Sequence, residues 1–70
     1  MVKRAYFQVG KIIEDLPEGY QFTAYDLKGM FIDQHGVAYA PNTTTIGYYL
    51  RKLISDGKVR RVRDGWYIPL

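Results

Sequence analysis

Residues 43–68, with the sequence TTTIGYYLRKLISDGKVRRVRDGWYI, combine the pattern of a helix with that of a hairpin. In the first half of this stretch, four aliphatic residues recur at the i, i+4, i+7, i+8 spacing of a helix with one buried side. They are Ile46, Leu50, Leu53 and Ile54. Asn42 or Thr43 can accept hydrogen bonds from the free amides of the first turn. The pattern therefore predicts a helix that begins after this cap and ends at Gly57.

The second half of the stretch has the pattern of a β-hairpin. An Asp-Gly dipeptide at residues 64–65 favours a two-residue turn between two short strands. The predicted strands are Val59–Arg63 and Trp66–Ile68. A turn of this length pairs Arg63 with Trp66 and Arg61 with Ile68. Such a register places the Arg63 guanidinium beside the indole, where a cation–π contact can hold the hairpin rigid.

The N-terminal part of the chain predicts another amphipathic helix. Its apolar stripe consists of Ala5, Val9, Ile12, Ile13 and Leu16. We expect this helix to run from about Lys3 to Leu16 and to be stopped by Pro17 and Gly19. The alternation in Tyr20–Phe22 fits a very short strand.

A middle helix is predicted between these two segments. Thr23 followed by Asp26 resembles a capping box, so the helix begins at Ala24. Gly36 marks its end, and residues 37–41 form an irregular connection to the third helix.

The order helix, short strand, helix, helix, hairpin resembles the winged helix-turn-helix DNA-binding superfamily over essentially the whole chain. The residues that carry the resemblance are Phe22–Leu27, Thr45-Ile46, Leu50, Leu53, Gly57, Val59 and Trp66–Ile68. The resemblance implies an α+β fold in which three helices carry a small antiparallel hairpin, called the wing. At 70 residues the chain has room for one such domain, spanning residues 1–70.

The third helix presents the side chains that are candidates for reading DNA. With the aliphatic stripe turned inward, the outward set is Thr44, Tyr48, Arg51, Lys52 and Ser55. The resemblance implies that the N-terminal half of this helix enters the major groove, which places Thr43, Thr44, Thr45, Gly47 and Tyr48 near base edges. Arg51 suits guanine, and Lys52 suits a phosphate. Capping and local backbone hydrogen bonds explain the three threonines equally well.

Positive charge is concentrated in the second half of the chain. The net charge is +3, yet residues 36–70 carry six basic and two acidic residues, whereas residues 1–35 carry four basic and five acidic ones. The wing supplies four of these cations, Lys58, Arg60, Arg61 and Arg63. A cationic half beside a neutral one is typical of a surface that meets a polyanion. A basic face that is merely solvated is the alternative.

Several classes of function are disfavoured by the composition. The sequence has no cysteine and a single histidine, His35, so it cannot assemble a zinc site of three or four such ligands. It also lacks a glycine-rich phosphate loop and a nucleophile elbow. We therefore expect neither an enzyme nor a bound cofactor or metal. No signal peptide or membrane-spanning stretch is recognisable, which predicts a soluble, cytoplasmic protein.

The sequence leaves three binding functions open. The first is binding of double-stranded DNA by a regulator of transcription. The second is a winged helix that serves as a protein–protein interaction module, with Phe7 and the exposed tyrosines in the contact. The third is binding of single-stranded nucleic acid or RNA, since seven tyrosines are present for stacking. Phe7, opposite the apolar stripe of the first helix, is also a candidate contact in a homodimer, together with Tyr6 or Gly10.

Overall fold

The computed structural model describes residues 4–70 and has an α+β architecture with a winged-helix-like arrangement, as predicted. Three α-helices are followed by a two-stranded antiparallel hairpin. The elements are α1 (Arg4–Glu14), α2 (Ala24–His35), a 3-10 turn (Val37–Tyr39), α3 (Thr43–Ser55), β1 (Val59–Arg63) and β2 (Trp66–Pro69). Lys3, where the first helix was expected to begin, lies outside the described residues.

The C-terminal end of α1 differs from the expected one. The helix ends at Glu14, and Leu16 is only half-buried in the turn that follows. The amide of Leu16 donates to the carbonyl of Ile13, a tightened i→i−3 bond that closes the last turn ahead of Pro17. Leu16 therefore packs against the core from the turn.

Both ends of α2 are fixed by local hydrogen bonds. The Thr23 hydroxyl accepts from the Asp26 amide at 3.1 Å, and the Asp26 carboxylate accepts from the Thr23 amide at 2.9 Å. This reciprocal pair is the predicted capping box. Gly36 ends the helix with φ +89°, a left-handed backbone that glycine adopts without a steric penalty. The next residues form the 3-10 turn in place of the irregular connection that we expected.

The core lies where the three helices meet the base of the hairpin. Its fully or nearly fully buried residues are Val9, Ile12, Ile13, Phe22, Leu27, Phe31, Ile46, Leu50, Leu53 and Val59. The three α-helices and β1 each contribute side chains to this set, Phe22 comes from the segment between α1 and α2, and Tyr67 of β2 packs against it. Ten apolar residues are a small core, so each one makes a large contribution to stability in a chain of this length.

One of the four predicted buried positions of α3 is wrong. Ile46, Leu50 and Leu53 are buried, but Ile54 is 38% exposed. At about 100° per residue, Ile54 lies about 80° around the helix from Ile46, at the edge of the stripe. Asn42 provides the N-cap, its side chain accepting from the Thr45 amide at 2.8 Å.

The register of the wing differs from that of a regular hairpin. Arg63 pairs with Trp66, as predicted, but Arg61 pairs with Tyr67 and not with Ile68. The register shifts between Arg61 and Arg63, which leaves an extra residue in β1. Such a bulge displaces the later pairs by one position, and this explains why the predicted Arg61 partner was wrong.

The predicted short strand before α2 is reduced to a single β-bridge. Phe22 and Tyr67 exchange two backbone hydrogen bonds of 2.9 Å each. Their rings also stack with centroids 6.0 Å apart. The segment between α1 and α2 is thereby joined to β2, which anchors the base of the wing to the helical core.

Candidate nucleic-acid interface

The outer face of α3 is uncovered. Four side chains fall within an arc of about 60° on the side opposite the buried stripe, at about 100° per residue. They are Thr44, Tyr48, Arg51 and Ser55, and all four are exposed, Tyr48 by 63%. None of the four carries negative charge. The arrangement presents hydroxyl, phenol and guanidinium donors along one side of a 13-residue helix.

The three threonines at the start of α3 do not share this face. Thr44 is exposed, whereas Thr43 and Thr45 lie on the flanks of the helix and are half-buried. The Thr45 amide is occupied by the Asn42 cap. Among the three, Thr44 has the position best suited to a base edge, while the other two are placed for contacts at the margins of a groove.

The first turn of α3 holds no acidic residue. The first turn of α2, in contrast, holds Asp26, whose carboxylate is engaged in the capping box. Since a helix N-terminus carries partial positive charge, the start of α3 is the more favourable of the two for a phosphate.

The acidic residue that follows α3 is turned toward α1. Asp56 accepts a 3.0 Å hydrogen bond from the Tyr6 hydroxyl and lies 3.9 Å from the Lys52 ammonium. Partial burial raises the pKa of Tyr6, and the hydrogen bond to Asp56 and its negative charge raise it further. Lys52 therefore sits at the side of α3 nearer α1, and the Asp56 charge is directed away from the Tyr48 face.

The structure divides the four cations of the wing. Lys58 and Arg60 line a groove of about 680 Å³ between α1 and the base of the hairpin, and Glu14 and Glu18 line the same groove. We call it the α1 groove. These two basic residues are exposed, but they lie on the α1 side of the molecule and share their surroundings with acidic side chains.

Arg61 and Arg63 lie nearer the turn of the wing. Arg61 is 3.9 Å from the fully exposed carboxylate of Asp64, an ion pair that contributes little in water. The Arg63 guanidinium carbon is 4.9 Å from the centre of the Trp66 ring, the predicted cation–π contact. Cross-strand partners share a face, so Arg63 lies on the Trp66 face and Arg61 on the Tyr67 face. The tip of the wing thus has a cation on each side.

Two features of this surface had no signal in the sequence. The Tyr6–Asp56 hydrogen bond joins residues 50 positions apart, and local patterns do not report such contacts. The bulge in β1 has no glycine to mark it. His35 is the last residue of α2, and its Nδ1 lies 3.4 Å from the Gln8 amide nitrogen.

Within residues 4–70, no group of three or more histidine or acidic side chains is placed to hold a metal ion. Every helix over the same range is too short or too polar to cross a lipid bilayer. No protein-family model, curated protein or solved structure matched the chain.

Proposed function

We propose that this chain binds double-stranded DNA as a winged helix-turn-helix regulator of transcription. The observation that carries the proposal is the uncovered outer face of α3, which offers hydrogen-bond donors and a guanidinium without a carboxylate among them. A helix that only faces solvent has no need to exclude acidic residues from a whole side. A helix of this width fits the major groove of B-form DNA.

Within this proposal, the residues of α3 divide into two groups. Thr44, Tyr48 and Arg51 lie on the outer face and contact base edges. The remaining candidates, Thr43, Thr45 and Lys52, contact the sugar-phosphate backbone at the groove margins. Arg51 is the residue best suited to direct readout, because a guanidinium can bond to both acceptors on the major-groove edge of guanine.

The wing contributes phosphate contacts that do not depend on sequence. Arg61 and Arg63, on opposite faces near the turn, can reach phosphates on either side of a wing that lies along the backbone or in the minor groove. Lys58 and Arg60 lie on the α1 side and contribute less to these contacts. DNA binding also requires the protein to be in the compartment that holds the DNA, which is the cytoplasm in a cell without a nucleus.

Fluorescence anisotropy with a labelled duplex, measured over a series of salt concentrations, tests the proposal. Each phosphate that the protein neutralises releases counterions, so the binding constant falls steeply with salt. Arg61→Ala should weaken binding to every duplex and reduce the salt slope by about one. Lys28→Ala removes the same charge from α2, outside both α3 and the wing, and should leave the slope unchanged. Absence of binding at low salt, or a flat salt response, would refute the proposal.

Tyr48→Ala tests whether the outer face of α3 reads sequence. We expect the variant to change the preference among duplexes selected from a random pool. The matched control is Tyr39→Ala, because Tyr39 is 79% exposed but lies outside α3, in a cleft that it lines with Arg4 of α1 and His35 of α2. An equal loss of affinity for every duplex would show that Tyr48 does not contribute to sequence recognition.

A protein–protein interaction module is the second candidate. The observation that favours it is the exposure of large aromatic side chains outside the α3 face, with Phe7 62% and Tyr25 77% exposed. In that case the positive charge steers the partner. Recovery of a partner in a pull-down that nuclease treatment does not affect, combined with no binding in the duplex experiment, would favour this function over DNA binding.

A further inference from the structure

We propose that the α1 groove is the site where a second copy of this chain binds, so that two copies form a twofold dimer. The groove lies between α1, the end of α3 and the base of the hairpin, and its floor includes Ile13, Leu53 and Ile68. The proposal goes beyond DNA binding and does not depend on it.

The apolar surface extends beyond the groove itself. A shallower cleft of about 360 Å³ adjoins it and shares Gly10, Glu14, Leu53 and Lys58 with it. This second cleft reaches Phe7, whose side chain is 62% exposed. The Phe7 ring makes an edge contact with Tyr6, with centroids 5.8 Å apart, and otherwise points outward. Covering this ring would remove a large apolar side chain from water, the main favourable contribution to association.

The charges around the groove identify a second copy as the occupant. Glu14 and Glu18 line its α1 side, and Lys58 and Arg60 line its strand side. Within residues 4–70, these four residues make no ion pair with one another or with any other side chain. A twofold axis brings the same surface of both copies together, so the acidic side of one groove can face the basic side of the other. The surface is thus electrostatically complementary to itself.

The dimer would also separate the functions of the cations in the wing. Lys58 and Arg60 meet glutamates of the partner, while Arg61 and Arg63 stay outside the interface, at the tip of the wing. Two DNA-reading helices related by a twofold axis would recognise a palindromic site.

Charge reversal followed by mixing tests the proposal with the full chain. Glu14→Lys gives a groove lined by basic residues at 14 and 58, and Lys58→Glu gives one lined by acidic residues at both positions. Each variant alone should repel itself and sediment as a monomer at a concentration where the wild type sediments as a dimer. An equimolar mixture should restore the dimer, because a basic groove then meets an acidic one. Misfolding of either variant could not produce this restoration.

Two further variants complete the experiment. Phe7→Ser should weaken the dimer at least tenfold, and Lys28→Glu on α2, outside the groove, should leave it unchanged. A wild type that stays monomeric at several hundred micromolar would overturn the proposal. So would a wild-type dimer that neither charge reversal weakens, since the copies would then meet through another surface. DNA binding by a monomeric variant, with one copy per site, would separate failure of the dimer from failure of the proposed function.

Discussion

The Tyr6 hydroxyl donates a 3.0 Å hydrogen bond to Asp56 Oδ2, and this bond ties the first turn of α1 to the residue that ends α3. The Tyr6 ring also makes an edge contact with Tyr49 of α3, with centroids 5.6 Å apart. Tyr6 thus holds α1 and α3 together at a point outside the fully buried core.

Alkaline pH should break this link. The folded state raises the Tyr6 pKa, through burial first and Asp56 second, so folding favours the protonated phenol. The stability that the protonated Tyr6 contributes is fully present below the pKa of the unfolded state, which is about 10 for tyrosine. This stability is lost as the pH rises through the higher pKa of the folded state. The urea midpoint of the wild type should therefore fall more steeply above about pH 10 than that of Tyr6→Phe.

The phenolate absorbance of Tyr6, obtained as the difference between wild type and Tyr6→Phe, provides the second measurement. Asp56→Asn removes the negative charge and should shift this difference titration to lower pH. A titration that Asp56→Asn leaves unmoved would contradict the assignment of Asp56 as a cause of the raised pKa.

Two isoleucines of α3 should respond differently to the same small truncation. Ile46 is fully buried and Ile54 is 38% exposed. Ile46→Val should cost about 1 kcal/mol of unfolding free energy, because it leaves a cavity in the core. Ile54→Val should cost less than about 0.5 kcal/mol. Both changes keep a β-branched residue in the same helix, so the difference between their unfolding free energies, measured by urea denaturation, reports burial alone. Equal losses of unfolding free energy would mean that Ile54 packs in the core.

The N-caps of α2 and α3 should each contribute measurable stability. The Thr23 and Asn42 side chains each accept a backbone hydrogen bond in the first turn of their helix. Replacement of either by alanine should lower the unfolding free energy by about 1 kcal/mol. Asn42→Ser keeps an oxygen acceptor and should recover most of the loss. If Asn42→Ser is as unstable as Asn42→Ala, the cap is not the reason for the effect.

Gly47 should be a site where stability and DNA binding respond in opposite directions. A Cβ at this position meets no atom within 4 Å, so Gly47→Ala fits the monomer without a clash. Because glycine inside a helix is less favourable than alanine, the change should stabilise the protein by about 0.5–1 kcal/mol. If the DNA backbone approaches this point of α3, the same variant should bind duplex more weakly.

Gly29 of α2 is the matched control for this prediction. A Cβ there also meets nothing within 4 Å, and Gly29 lies outside α3 and the wing. Gly29→Ala should give a similar gain in the urea midpoint with unchanged anisotropy. Equal binding by the two variants would show that no close approach occurs at Gly47.

Local patterns were sufficient to predict most of the fold. The spacing of Ile46, Leu50 and Leu53 predicts a helix and its buried side, because a helical repeat fixes which residues share a face. The capping box of Thr23 and Asp26 predicts where α2 begins, since both hydrogen bonds form within one turn. The exposed position of Tyr48 on α3 follows from the same repeat.

Other features depended on contacts between segments far apart in sequence. The order of apolar and polar residues places Ile54 at the edge of the buried stripe, where a side chain can be either buried or exposed. Its exposure depends on how the neighbouring elements pack against α3. The shift between Arg61 and Arg63 arises from pairing with β2, so no property of β1 alone reports it. The helices, the turn of the hairpin and the total charge of the wing follow from local residue patterns alone, because each depends only on neighbours in the chain. The opposite faces of Arg61 and Arg63, in contrast, depend on pairing with β2, because the bulge between them breaks the alternation of sides along the strand.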